Sequence, residues 1–192
     1  MGDTDKAVAE IQLLAKEFTK FGIAAKDTME MAASAAAMGL QGADLQAQVT
    51  QATRLSVLGQ VEQQQALETT ISLQNAFGIS ADQLAGKINY LNAVENQTVL
   101  SIEDLTVAIP KAGPVVKQLG GNVEDLAFFM TAMKEGGINA SEGANALKSG
   151  LASMINPSKK AAGFLADLGI NIKGLVEANA GNLKGTVIGL AK

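Results

Sequence analysis

Six candidate helix caps stand at intervals too short for a rod and too regular for a loop-rich domain. They are Ser80, Ser101, Asn122, Asn139, Asn156 and Asn171, separated by 21, 21, 17, 17 and 15 residues. Each offers a side-chain oxygen that can accept from the unpaired N–H groups of a starting helix, and such residues lead the cap preferences for that reason. Gln83, Asp104, Asp125 and Glu142 follow their caps by three residues, the spacing of a capping box. Ahead of Ser80, Gly78 supplies the left-handed residue that ends a helix. Ile79 and Leu84 stand at the positions of a hydrophobic staple that would fix the corner. Gly137 and Gly169 are further stops, and Pro157 is placed for a first helical position after Asn156. The intervals leave four to five turns per helix plus a short connection.

Sustained alternation rich in Val, Ile, Thr and aromatics is missing, so the expected fold is all-α: a bundle of short helices joined by Gly-, Asn- and Ser-capped turns. Quasi-repeated helical hairpins are one arrangement the spacing allows. Residues 3–21 form an amphipathic stretch with Val8, Ile11, Leu14, Ala15 and Phe18 on one side, stopped by Gly22. Residues 28–38 are almost wholly small or Met. The Gln-rich stretch 44–65, with Leu45, Val49, Ala52 and Leu55 at helical spacing, reads as an exposed connecting helix. Pro110 and Pro114 lack the donor a continuing helix needs and, with Gly113 between them, predict a kink or break after Ser101. Three segments follow: N-terminal amphipathic and Gln-rich helices (1–59), a helical core (60–175), and a Gly-rich helical tail (176–192) that reads as cut off at Lys192.

The 192 residues suffice for one core or two small ones. Charged residues make up 18%, below the roughly 25% usual for soluble domains, and aromatics 4%. An Ala-rich, weakly charged helical surface packs readily against copies of itself, so the composition leans towards an oligomer. A net charge of -4, the single arginine Arg54 and the lone basic doublet Lys159–Lys160 argue against a nucleic-acid surface. With neither Cys nor His, thiolate chemistry and the usual transition-metal ligands are excluded, and no cofactor is expected. No signal peptide stands at the start, and no run of 18 apolar residues that would cross a bilayer occurs.

Val123, Leu126, Ala127, Met130 and Met133 repeat at helical spacing and read as a core stripe; the alternative is a Met-rich surface for a partner. Of the neighbours Phe128 and Phe129, one should point away from that stripe and mark an assembly contact. Gly143 and Gly150, seven residues apart, suggest a helix face approached closely by another helix, and an intrachain neighbour is favoured. Gly181, Gly185 and Gly189 repeat every four residues, a spacing used for close helix pairing, although an ordinary Gly-rich tail is the favoured reading. Acid–base chemistry would have to come from Glu103, Asp104, Glu124, Asp125, Glu135 or Glu142. All but Glu135 fall in first helical turns, where the helix dipole already accounts for them.

The stretch GGINASEGANALKSGLASMINPSKKAAGFLADLGI (136–170), with FGISADQL (77–84), LSIEDL (100–105) and GGNVEDLAFFMTAM (120–133), resembles the helical core region of phage tail tape measure proteins over roughly residues 60–175. In that resemblance Gly143 to Lys148 is the G-x-x-A-L-K stretch, with a structural role. The resemblance implies a virion protein without catalytic residues, lying in the tail lumen or tip after assembly in the host cytoplasm. Its implied roles are tail assembly, tail-length determination and genome delivery. Its implied partners are tail tube and tail tip proteins and two or five further copies of itself, three or six chains in all, with no specific nucleic acid. Two alternatives stay open: a helical interaction scaffold with no phage role, and a fragment of a helical peptidoglycan-cleaving enzyme. The latter rests on Glu142 before Gly143, but Trp is absent and Tyr90 is the only tyrosine for a saccharide groove.

Overall fold

The computed structural model describes residues 3–171, 174, 177 and 182–190. Among these residues the chain is all-α and contains no strand. Its helices are α1 (Asp3–Phe18, continued by a 3-10 turn Thr19–Phe21), α2 (Ala25–Ala37), α3 (Gly42–Gly59), α4 (Gln63–Phe77) and α5 (Ala81–Gln97). They continue with α6 (Ile102–Gln118), α7 (Val123–Glu135), α8 (Ala140–Ile155), α9 (Lys159–Asp167) and α10 (Leu183–Leu190).

The starts of α5 to α9 are built by side chains, whereas α2, α3 and α4 begin without a side-chain cap. Ser101 Oγ accepts from the Asp104 N–H at 3.1 Å while Asp104 Oδ2 accepts from the Ser101 N–H at 3.0 Å. Asn122 and Asp125 make the same reciprocal pair at 2.8 and 3.2 Å. Gln83 Oε1 accepts from the Ser80 N–H at 3.2 Å, and Asn139 Oδ1 from the Glu142 N–H at 2.9 Å. Several stops share one geometry, although α5 and α8 end without a left-handed residue. After α2, α7 and α9 a glycine with positive φ (Gly39, Gly137, Gly169) lets the next N–H reach the carbonyl five residues back at 2.8–3.2 Å. Gln60 does so after α3 at φ 50°, aided by its neighbour Ser56, whose hydroxyl donates to the Val61 carbonyl at 2.6 Å.

Two apolar clusters form the interior. The first gathers Ile11, Phe18, Met31, Ala35, Val49 and Leu67 from α1–α4. The second, larger one gathers residues from α3 to α8, centred on α6 through Leu105, Ile109, Ala112 and Val116, and takes in Leu183 of α10. Helices α3 and α4 contribute to both.

Four sequence readings are corrected here. Helix α6 runs unbroken through Pro110 and Pro114. Both prolines are exposed and one turn apart, on the solvent side where helix hydrogen bonds already lengthen. The carbonyl of Thr106, which an N–H at position 110 would have engaged, has Thr69 Oγ1 at 3.5 Å. The Gln-rich stretch is no exposed connector: it is α3, a left-handed break at Gln60 and the start of α4. Gln48 is fully buried there and donates to Thr70 Oγ1 at 2.8 Å. Asn156 ends α8, and Ser158 caps α9 by accepting from the Ala161 N–H at 3.2 Å, so Pro157 lies in the turn before the cap. Val8 is 47% exposed, whereas Ile11, Ala15 and Phe18 of the same stripe are buried.

Candidate functional site

Polar side chains that are not caps act as pins between helices. Lys134, at the end of α7, places its ammonium 2.7 Å from Asp104 Oδ2 at the start of α6. Burial alone would raise the Asp104 pKa, but the Lys134 ammonium and the Ser101 N–H and hydroxyl outweigh it and hold the carboxyl below its usual value. Lys87 of α5 pairs with Glu124 of α7 at 2.6 Å, and Arg54 of α3 donates to Asn89 of α5 at 2.6 Å. Lys111 of α6 donates to Ser141 of α8 at 2.7 Å. Glu95 Oε1 accepts from the Ile102 N–H at 2.9 Å and so ties the end of α5 to the start of α6. Tyr90 is held neutral to higher pH by burial first and by Glu124 and Asp125 second.

Of the carboxylates weighed as acids and bases, Asp104, Glu124 and Asp125 are engaged structurally as above, whereas Glu103 and Glu135 make no ion pair among the described residues. Glu142 Oε2 accepts from the Asn139 side-chain amide at 2.8 Å, at the outer rim of α8. Among the described residues no cluster of three potential metal ligands occurs, and no helix is long and apolar enough to cross a membrane.

The glycines separate into contacts and open positions. Gly143 is buried against α7, where an added Cβ would stand 3.3 Å from both Met130 Cε and Met133 Sδ. This is the intrachain close approach, and it makes the Met stripe core: Val123, Leu126, Ala127 and Met130 are buried, with Met133 packed against them. Gly150 is exposed and open, so the expected glycine row has one working member. The three glycines of closest approach escaped the sequence reading. A Cβ on Gly59 would overlap Ile102, one on Gly113 would stand 3.0 Å from Phe77 Cε2, and one on Gly121 would overlap Val116 and meet Leu183 Cδ2 at 3.0 Å. Gly113 was read as a source of freedom between prolines and is instead the point where α4 rests on α6. At Gly59 and Gly113 no local pattern distinguishes the position, because the partner is 43 and 36 residues away; at Gly121 the overlap is with Val116 five residues back, and Leu183 joins it from 62 residues on.

Phe128 is the phenylalanine that points outward, 45% exposed, while Phe129 packs inward with the two rings edge to face at 5.4 Å. Lys184 of α10 covers Phe128 with its ammonium 4.2 Å from the ring centroid. Gly185 donates its N–H to Asn182 Oδ1 at 2.8 Å, a cap-type bond. Gly181 lies outside the described residues, as do the surroundings of Gly189.

An uncovered apolar surface lies at α9. None of its residues is buried, and Phe164 and Leu168 are 65% and 58% exposed. Its inner side borders an apolar groove of about 750 Å³ shared with Leu119, Met154 and Ile155.

Short capped helices, side-chain pins and apolar seams define a helical structural protein whose polar groups serve packing and turns. The chain belongs to the family described as phage-related minor tail protein, which it matches over residues 12–192. No curated protein and no solved structure matches it. Membership makes it a phage tail structural protein, associated with the virion and with other tail components.

Proposed function

We propose that the chain is a section of a tape measure protein, acting in tail assembly, length determination and genome delivery from the tail lumen or tip. Tail tube and tip proteins and further copies of itself, three or six in all, are its partners there. Within that protein this section is a compact assembly module, and the ruler is supplied by other parts. The observation that carries the reading is the folding back of α3 to α8 around α6. As one uninterrupted helix, 192 residues would span about 290 Å. Folded into helices of 8 to 18 residues joined by tight turns, they reach a fraction of that and give length no fixed rise per residue.

In-frame deletion of residues 78–175 from the tail gene tests the proposal by electron microscopy of the tails. A module predicts loss of assembled or infectious tails. Viable tails shortened by about 1.5 Å per deleted residue would make this section ruler and overturn the proposal.

A further inference from the structure

Helix α9 carries the wrong charge at each end. Lys159 and Lys160 occupy its first two positions and Asp167 its last, whereas α6, α7 and α8 all begin with acids. A helix N-terminus bears partial positive charge and a C-terminus partial negative charge, so these side chains oppose their own helix. Among the described residues neither Lys160 nor Asp167 has an ion-pair partner within the chain.

Lys160, Gly163, Phe164 and Asp167 follow the i, i+3, i+4, i+7 spacing and share one exposed face. Ala162, Leu165 and Ala166 lie on the opposite side, against the groove. At the centre of the outward face, Phe164 projects into solvent beside Gly163. A Cβ built on Gly163 meets nothing within 4 Å, so no intrachain neighbour requires glycine in the middle of this helix. Glycine there weakens the helix, and a close approach from outside the chain is what it permits.

We propose that this face is a two-fold contact with a second copy of the chain, in which the two α9 helices lie antiparallel. The order basic, small, large, acidic is its own antiparallel complement. An axis between Gly163 and Phe164 sets Lys160 opposite Asp167 of the partner subunit and Phe164 over Gly163 of the partner subunit. Lys160 then also meets the negative end of the partner's helix, so that the misplaced Lys160 and Asp167 are both matched in the pair. Such a contact is isologous, so each feature occurs twice. It is small, and therefore weak and sensitive to salt. It goes beyond the proposed function: it concerns how copies meet, it produces pairs, and six chains as three pairs fit it whereas three chains do not.

Sedimentation equilibrium of the whole chain at low salt, over a concentration series, tests it. The 19.7 kDa chain should shift towards twice its mass as concentration rises. Asp167→Lys and Lys160→Asp should each weaken association by about tenfold or more, since attraction becomes repulsion at both ends. The double variant Lys160→Asp/Asp167→Lys should restore it, and Gly163→Leu should weaken it without altering charge. All three substituted positions are exposed, and each change favours α9 by itself, so far-UV circular dichroism should show no loss of helix in any variant. A chain that keeps its single mass throughout, or an association that ignores the charge reversals, overturns the contact. Neither result bears on the deletion experiment, which reads assembled tails.

Discussion

Two helix glycines, Gly59 at the end of α3 and Gly150 within α8, differ in what a methyl group would meet, and the difference fixes the sign of a substitution. At Gly59 the new Cβ would stand 2.7 Å from Ile102 Cβ, a fully buried side chain whose own N–H is tied to Glu95. Neither partner has room to withdraw, and overpacking of this kind costs about 1–3 kcal/mol. At Gly150 nothing lies within 4 Å, so Gly150→Ala gains helix propensity without a clash, worth up to about 1 kcal/mol. Urea denaturation of Gly59→Ala and Gly150→Ala should therefore move the midpoint in opposite directions. A neutral Gly59→Ala would mean that α6 does not press on the end of α3 as closely as the structure has it.

Between helices, the Asp104–Lys134 pin makes stability depend on pH. Because the folded pKa of Asp104 lies below its unfolded value, near 4, the stabilisation is complete above that value and drains away as pH falls through the folded one. Lys134 is 36% exposed, which limits the pair to about 1 kcal/mol or less. Asp104→Asn keeps an acceptor for the Ser101 N–H but loses the charge. Its deficit against the natural chain in chemical denaturation should be present at pH 7 and vanish by about pH 2; a deficit constant across that range would show that charge is not what the pin supplies. The ends of these helices were legible in the sequence because a cap is local: Ser101 and Asp104, or Asn122 and Asp125, need only each other. What the sequence hid depends on distant partners. Pro110 survives inside α6 because its ring faces water, and Gln48 is buried because Thr70 waits on α4. Ser158 displaced Asn156 as the α9 cap because both residue types cap equally well, and only the path of the chain chooses between them. The outward face of α9 was half visible: its lysines read as a solvated doublet, and only their position at a helix start made them anomalous.

Helix α4 decides how the whole chain unfolds. It turns Leu67 and Ile71 towards the first apolar cluster and Ala66, Leu73 and Phe77 towards the second, so neither interior closes without it. Helix α3 divides in the same way, with Val49 and Ala52 in the first cluster and Leu55 in the second. Losing the first cluster would strip cover from the fully buried Leu67 and Ala52 on helices whose other faces hold the second together. The two clusters should therefore melt together, and the chain supplies its own reporter. It has no tryptophan and a single tyrosine, Tyr90, which packs against the second cluster alone. Tyrosine fluorescence thus follows the second cluster while far-UV circular dichroism follows every helix. The two transitions should coincide in urea. Leu67→Ala, which removes a fully buried side chain and costs about 2–5 kcal/mol, should shift both to the same extent although Leu67 belongs to the first cluster. If the dichroism of Leu67→Ala fell in two steps with the fluorescence following only the later one, the N-terminal helices would be an independent unit and α4 no bridge.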